Sequence, residues 1–204
     1  MLFEDNYKTI ASPSEGIFKD RGSKFIGYAF PVNSEQNIKA LIQQLQTEHP
    51  KARHFCWALR ISPDRSVFRL NDDGEPSGTA GRPILNTLLS NELTNILVVV
   101  VRYFGGTLLG VPGLINAYKT ATLEAIHAAQ IIEKTVNDVY LLKFNYLQLN
   151  EVMKLVKDEN LTYQNQNFDT ICSLEISVRK TQLNNLLLKL ENISGLSYSY
   201  LGSV

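Results

Sequence analysis

Residues 71–83 read Asn-Asp-Asp-Gly-Glu-Pro-Ser-Gly-Thr-Ala-Gly-Arg-Pro, and we call this stretch the acidic turn. Its thirteen residues include three glycines, two prolines, three carboxylates and one guanidinium. Glycine and proline both interrupt helices and strands, so the stretch is predicted to be a structured turn. Its crowded ionic groups distinguish it from a flexible Gly/Ser linker and make it a candidate site.

A second glycine-rich stretch, which we call the glycine turn, covers residues 102–113 and reads Arg-Tyr-Phe-Gly-Gly-Thr-Leu-Leu-Gly-Val-Pro-Gly. Between the two turns, residues 96–101 form an unbroken apolar run, which is typical of a central strand covered on both faces. Thr79 is predicted to cap a helix after the acidic turn, with Pro83 in its first turn, and Pro112 to open a helix after the glycine turn. If the two turns meet in space, they form the site.

The residues around these turns predict an α/β domain. Residues 25–30 and 54–61 are predicted strands, and the second strand forms a hairpin with residues 66–70. A helix is predicted from a cap at Ser34 to about Glu48, because apolar residues recur there at helical spacing. These residues are Ile38, Leu41, Ile42 and Leu45.

The pattern restarts near residue 136. Strands are predicted at residues 136–144, 161–168, 171–178 and 196–201, and helices at residues 147–159 and 181–191. The order β-α-β-β-α-β is the ferredoxin-like pattern. The sequence therefore predicts an α+β protein with two domains, residues 1–135 and residues 136–204.

Composition excludes several classes of protein. The 204 residues are 44% hydrophobic and 20% charged, as in ordinary globular proteins. Twenty basic residues balance twenty acidic ones, which argues against wholesale nucleic-acid binding but leaves room for a local basic patch. The first ten residues do not resemble a signal peptide, and no apolar stretch is long enough to span a bilayer. Cys56 and Cys172 are predicted to be reduced, and the protein to be cytoplasmic.

The three carboxylates of the acidic turn allow two interpretations. Asp72, Asp73 and Glu75 could hold a hard cation such as Mg²⁺ or act as an acid/base pair. Alternatively they accept backbone N–H bonds in a solvated turn, or one of them pairs with Arg82. The spacing favours the second interpretation, and it does not fit an EF-hand loop.

Both turns are candidate anion sites, because each leads into a helix whose first N–H groups attract negative charge. The residues concerned are Gly78 and Thr79 in one turn and Gly105 and Gly106 in the other. Arg82 and Arg102 would add bidentate cations. The alternative is that the glycines only allow close backbone crossings. Neither turn has the Walker A or the dinucleotide-binding pattern.

Two further candidates lie on predicted strands. Lys24, with Arg21 and the aromatic residues of strand 25–30, could form a base-stacking surface, although a half-buried strand gives the same pattern. His54 and Cys56 point to one face and could bind a metal or supply a nucleophile, but two ligands do not complete a zinc site. A packed cysteine beside a hydrogen-bonded histidine is the favoured interpretation, and no hydrolase motif is present.

Residues 72–85, followed by Val-Arg-Tyr-Phe-Gly-Gly at 101–106, resemble the IMPACT family. Residues 52–58 and 21–26 resemble two further blocks of that family, so the resemblance covers most of residues 15–130. It implies an N-terminal domain of the kind found in a small-subunit ribosomal protein and in domain IV of elongation factor G. It also implies a ferredoxin-like C-terminal domain similar to a later domain of that factor.

The resemblance implies a function as well. Eukaryotic relatives are implicated in regulating translation through the general amino-acid control kinase pathway, and by fold analogy bacterial members are proposed to bind nucleic acid or the ribosome. We therefore predict a translation-related regulator, or a ribosome- or RNA-binding protein; this favours a binding protein over an enzyme without deciding between them, and it implies no cofactor, with Mg²⁺ left open. Its candidate anion-binding residues are Lys24, Arg82, Arg102, Gly78, Thr79, Gly105 and Gly106. Its predicted partners are RNA, the ribosome or a translation factor, and no membrane.

An alternative prediction is a phosphate-binding enzyme whose divalent cation is held by Asp73 and Glu75. The chain also departs from the family pattern after the glycine pair. Leu109 and Asn116 stand where family members often have Lys and Arg, and Pro112 stands where Gly is usual. The loss of two positive charges weakens an RNA-phosphate role for this helix start, and leaves Arg82 and Arg102 as the principal cations.

Overall fold

A computed structural model describes residues 5–62 and 67–203. By their contacts these residues fall into two compact units, one of residues 7–134 and one of residues 135–203 together with Asp5 and Asn6. The five α-helices and eleven strands of the described residues lie in three sheets and confirm the predicted α+β class. Among them, no helix is both long and apolar enough to cross a membrane.

The first unit contains three helices and most of the strands. Its elements are β1 (Asn6–Ile10), β2 (Ser14–Asp20), β3 (Ser23–Pro31), α1 (Ile38–Glu48), β4 (His54–Ile61), β5 (Val67–Asn71), α2 (Gly81–Ser90), β6 (Ile96–Tyr103), α3 (Gly110–His127) and β7 (Ile131–Thr135). Five of the strands form an antiparallel sheet in the order β2-β3-β6-β4-β5, while β1 and β7 form a two-stranded sheet.

The apolar run on β6 is buried on both faces, as predicted. Val98 and Val100 pack in a core with α2 and α3, whereas Val99 and Val101 pack on the opposite face in a core with α1. A strand with apolar side chains on both faces can only lie at the centre of a sheet that is covered on both sides. Strand β6 is therefore the central strand of the five-stranded sheet.

The register of the sheet brings both turns to one of its ends. Strand β3 begins where β6 ends, with Lys24 opposite Tyr103, and β4 begins there too, with His54 opposite Arg102. The β2–β3 hairpin turns at the same end, and β5 leaves it for the acidic turn. We call this the loop end of the sheet.

Two predicted helix caps are wrong. The hydroxyl of Thr79 donates to the carbonyl of Pro76 at 2.7 Å, and α2 begins only at Gly81. Helix α1 begins at Ile38, four residues after Ser34, and its N-cap is Asn37. Pro83 does lie in the first turn of α2, as predicted. Residue 66, with which one predicted strand begins, lies outside the described residues.

The second unit has the predicted β-α-β-β-α-β order. Its elements are β8 (Asn137–Asn145), a 3₁₀ turn (Tyr146–Gln148), α4 (Leu149–Asp158), β9 (Thr162–Phe168), β10 (Ile171–Arg179), α5 (Lys180–Glu191) and β11 (Ser197–Ser203). The sheet is antiparallel in the order β11-β8-β10-β9, and one of its faces packs with α4 and α5 around Leu142, Leu174 and Ile176.

Candidate functional site

The two turns are joined through a buried ion pair at the loop end. The Nη1 of Arg102 lies 2.5 Å from Oε1 of Glu75, and the two side chains are only 6% and 4% exposed. The hydroxyl of Tyr118, on α3, donates to the same carboxylate oxygen at 2.7 Å. Glu75 therefore ties the acidic turn both to the last residues of β6 and to the helix that follows the glycine turn.

The ion pair is part of a larger buried polar cluster. The Sγ of Cys56 lies 2.9 Å from the carbonyl oxygen of Asp72 and 3.3 Å from the hydroxyl of Tyr118. Burial raises the pKa of the Cys56 thiol and of the Tyr118 hydroxyl well above their ordinary values. Both groups therefore stay protonated and act as hydrogen-bond donors rather than as nucleophile or base.

The other two carboxylates of the acidic turn bind backbone N–H groups. Asp72 accepts from Gly78 at 2.8 Å through one oxygen, and from Ala80 and Gly81 at 3.1 and 2.8 Å through the other. Asp72 thus satisfies N–H groups at the start of α2, the role that the sequence assigned to Thr79. Asp73 accepts from the N–H of Phe55 at 2.6 Å.

This geometry supports the interpretation of the acidic turn as structural. Asp73 and Glu75 turn their carboxylates toward different partners, and no cluster of three or more His, Cys, Asp or Glu in residues 5–62 and 67–203 could hold a metal ion. His54 contacts the carbonyl of Asp73 through Nδ1 at 2.8 Å. Of the two structural alternatives, acceptance of backbone N–H bonds is found for Asp72 and Asp73, whereas the ion pair is formed with Arg102 and not with Arg82.

The glycine turn packs against the β2–β3 hairpin. A Cβ atom on Gly105 would lie 1.9 Å from the carbonyl carbon of Gly22 and 2.1 Å from the amide nitrogen of Ser23, so the two backbones cross where only glycine fits. The N–H of Gly105 donates to Oγ of Ser23 at 3.1 Å. Gly106 has a φ of +85° and faces open space.

Four basic residues lie at the loop end, in or next to the two turns, and we call them the basic cluster: Arg21, Lys24, Arg53 and Arg82. Arg21 precedes the glycine that contacts Gly105, and the N–H of Arg53 donates to the carbonyl of Arg102 at 3.2 Å. The three arginines are exposed and Lys24 is half-buried. Within the described residues none of the four side chains forms an ion pair or a hydrogen bond.

The predicted site residues therefore have different surroundings. In the part of the chain that the structure describes, Lys24 and Arg82 form no ion pair, whereas the charge of Arg102 is neutralised by Glu75. Gly78, Gly105 and Gly106 are exposed and Thr79 is buried. The sequence did not single out Arg53, because only the register between β4 and β6 places it at the loop end.

The predicted base-stacking strand is divided between the two faces of the sheet. Phe25 packs in the core with α2 and α3, while Tyr28 and Phe30 stack on the α1 face with ring centroids 6.4 Å apart. The ring of His49 lies between the hydroxyls of Tyr28 and Tyr103 and is within 2.8 Å of each. Burial raises the pKa of Tyr28 to about 12.

Comparison with known proteins identifies one family. The Impact N-terminal domain matches residues 21–126, which include both turns. An IMPACT family member of Haemophilus influenzae is 34% identical over 158 residues, covering 76% of this chain and 77% of that protein. The IMPACT family member YigZ of Escherichia coli is 31% identical over 186 residues, covering 90% of this chain and 91% of that protein. A crystal structure described as a hypothetical protein superposes with a TM-score of 0.74 at 30% identity over 98% of both chains.

Proposed function

This chain belongs to the IMPACT family, and on that premise we propose that it is a translation-related regulator that binds RNA of the translation machinery. The basic cluster at the loop end of the first unit binds the RNA. One observation carries the proposal: the carboxylates of the acidic turn are occupied by donors of the protein itself, while the cations around them are not.

The arrangement suits a polyanion better than a divalent cation. Glu75 pairs with Arg102, and Asp72 and Asp73 accept hydrogen bonds from backbone N–H groups, so within the described residues no carboxylate of the acidic turn forms an ion pair with the basic cluster. Guanidinium groups bind phosphate oxygens through two parallel hydrogen bonds, and three arginines of the cluster are exposed. The zero net charge of the chain is compatible with such a local patch.

The link to translation rests on the family. Eukaryotic relatives in this family are implicated in regulating translation, and the resemblance of the two turns extends that role to this chain. Both turns lie within the residues that match the family. Leu109 is buried and Asn116 is neutral, so the start of α3 supplies no cation of its own. The phosphate contacts are therefore assigned to the basic cluster.

The test is a titration of the protein with ribosomes and with a single-stranded RNA oligonucleotide over a range of salt concentrations. Each phosphate contact on a single strand contributes about 0.7 to the slope of log K against log salt. The triple variant R21A/R53A/R82A should therefore lower that slope by about 2 and weaken binding at low salt. Lys24 is left in place because it is half-buried within β3.

A matched control variant removes the same number of positive charges, but from the second unit. Lys154, Lys157 and Lys180 are exposed on α4 and α5, and their replacement by alanine also removes three positive charges. The control variant should bind almost as the wild type does. Absence of salt-dependent binding by the wild type, or equal losses in the two triple variants, would refute the proposal.

A further inference from the structure

Phe104 is held in place by a buried charge and is nevertheless half exposed. The guanidinium carbon of Arg102 lies 5.6 Å from the centroid of the Phe104 ring and 5.3 Å from that of Phe25. Arg102 is itself fixed by Glu75, yet 50% of the surface of Phe104 remains accessible. A large aromatic side chain at the surface that is already ordered by a cation beneath it retains little conformational freedom for a ligand to restrict.

The residues next to Phe104 leave room for a flat ligand. Gly105 and Gly106 carry no side chains, both are exposed, and a Cβ on Gly106 would meet no atom within 4 Å. The turn is also braced, because Gly105 packs against the backbone of Gly22 and Ser23. An aromatic ring beside two exposed glycines on a braced turn lets a planar group approach without moving the backbone.

The nearest cations supply the complementary chemistry. Arg21 lies at the tip of the hairpin whose Gly22 contacts Gly105, and it forms no ion pair or hydrogen bond within the described residues. Proteins that bind single-stranded nucleic acid combine aromatic rings, on which bases stack, with cations that follow the phosphates. Both components occur here within one pair of packed turns.

We propose that Phe104 is a stacking platform for an unpaired nucleobase, so that the loop end selects single-stranded RNA over duplex. The inference rests on the proposed function and adds to it the form of RNA that the site accepts. Arg102 acts as a positioning residue, since it orders the ring and contacts no RNA. Arg21 contacts the phosphate that adjoins the stacked base.

The structure favours RNA over an apolar protein segment as the occupant. Leu108, Val111 and Ile115 extend the exposed apolar surface toward α3, as a protein partner would require. However, Arg21, which forms no ion pair among residues 5–62 and 67–203, lies on the hairpin that packs against Gly105, and the Phe104 ring is held by the Arg102 guanidinium beneath it. A contact that depended on the aliphatic end would instead be sensitive to Leu108, which is 81% exposed.

The experiment measures the binding of a single-stranded oligoadenylate of twelve nucleotides, and of an RNA duplex of twelve base pairs, across salt concentrations. Base stacking on an aromatic residue accounts for roughly fivefold to a hundredfold in affinity. Phe104→Ala should weaken binding of the single strand by that factor without changing the salt slope, and should remove the preference over duplex. Phe104→Tyr should retain both. The control is Phe68→Ala, because Phe68 is an equally exposed phenylalanine, at 49%, on β5 of the same unit.

A second measurement uses tryptophan fluorescence to detect a base that stacks at position 104. The chain has one tryptophan, Trp57, so the double variant W57F/F104W carries a single reporter at the platform. Its fluorescence should be quenched by the oligoadenylate at the concentrations that saturate binding, whereas the variant W57F/F68W should show no quenching. The same spectra and a thermal melt establish that each variant is folded.

The outcomes separate this inference from the proposed function. If the single strand binds, and Phe104→Ala binds it as well as the wild type does, the platform is refuted while the basic cluster stands. If Leu108→Ser weakens binding and Phe104→Ala does not, the contact is aliphatic and the platform is again refuted. If the wild type binds no RNA, both proposals fail.

Discussion

The acidic turn and the glycine turn lie at the same end of one sheet but serve opposite purposes. In the acidic turn, every carboxylate accepts a hydrogen bond from the protein, and Glu75 and Thr79 are buried. In the glycine turn, all five residues from Phe104 to Leu108 are exposed. The residues with the most conspicuous chemistry in the sequence thus maintain the fold, and the plainer turn is the one that lies exposed at the surface.

The buried ion pair should give the largest effect if the acidic turn is structural. Glu75→Ala leaves the Arg102 guanidinium buried without its partner, and breaking a buried pair in this way costs about 3–5 kcal/mol. Urea denaturation of the wild type and the variant measures the loss. The control is Glu35→Ala, which removes an exposed pair with Arg69 at 3.6 Å and should cost about 0–1 kcal/mol. Equal losses in the two variants would mean that Glu75 is not structural.

A substitution at Gly105 in the glycine turn should lower stability by less than the loss of the buried ion pair does. Gly105→Ala places a Cβ atom 1.9 Å from the backbone of Gly22, so the hairpin or the turn must move, at a cost of about 2–3 kcal/mol. Gly106→Ala meets open space and has only its positive φ to accommodate, which costs about 1 kcal/mol. Thermal denaturation compares the two. A larger loss at Gly106 than at Gly105 would contradict the packing of the two turns.

Asp72 should contribute less than the ion pair, because it is partly exposed and water can replace it. Asp72→Ala leaves the N–H groups of Gly78, Ala80 and Gly81 without their acceptor, and the loss of a helix-capping side chain costs about 0.5–2 kcal/mol. Hydrogen exchange should accelerate at these three amides more than in α3. Exchange that is unchanged at the three amides would show that Asp72 does not hold the turn.

The sequence was sufficient for the elements with a strong local pattern. The apolar run of β6 predicted a central strand, and the alternation of helices and strands after residue 136 predicted the second unit. By contrast, β1 and β7 have five residues each and mixed composition, and they gain their conformation by pairing with each other across the chain. Such pairing leaves little trace in either segment.

The contacts of the candidate site were less predictable than its location. Two glycine-rich turns on either side of a strand indicated one site, and the register of the sheet does bring them together. However, the ion pair that the sequence offered as one alternative was with Arg82, which is near in sequence, and the observed partner is Arg102, which is 27 positions from Glu75. The choice depends on which side of β6 faces α3, and periodicity alone does not give that orientation.

The smallest predicted effect concerns the thiol beneath the acidic turn. Burial raises the pKa of Cys56 above its ordinary value of 9.0, so the folded protein keeps this proton when the unfolded chain has lost it. A raised pKa in the folded state adds stability that is complete below pH 9 and is lost as the pH rises further. Between pH 8 and pH 10 the wild type should therefore lose about 1 kcal/mol more than Cys56→Ala, as measured by urea denaturation at each pH. Parallel pH profiles would mean that the thiol is open to solvent and that the acidic turn does not seal the cluster beneath it.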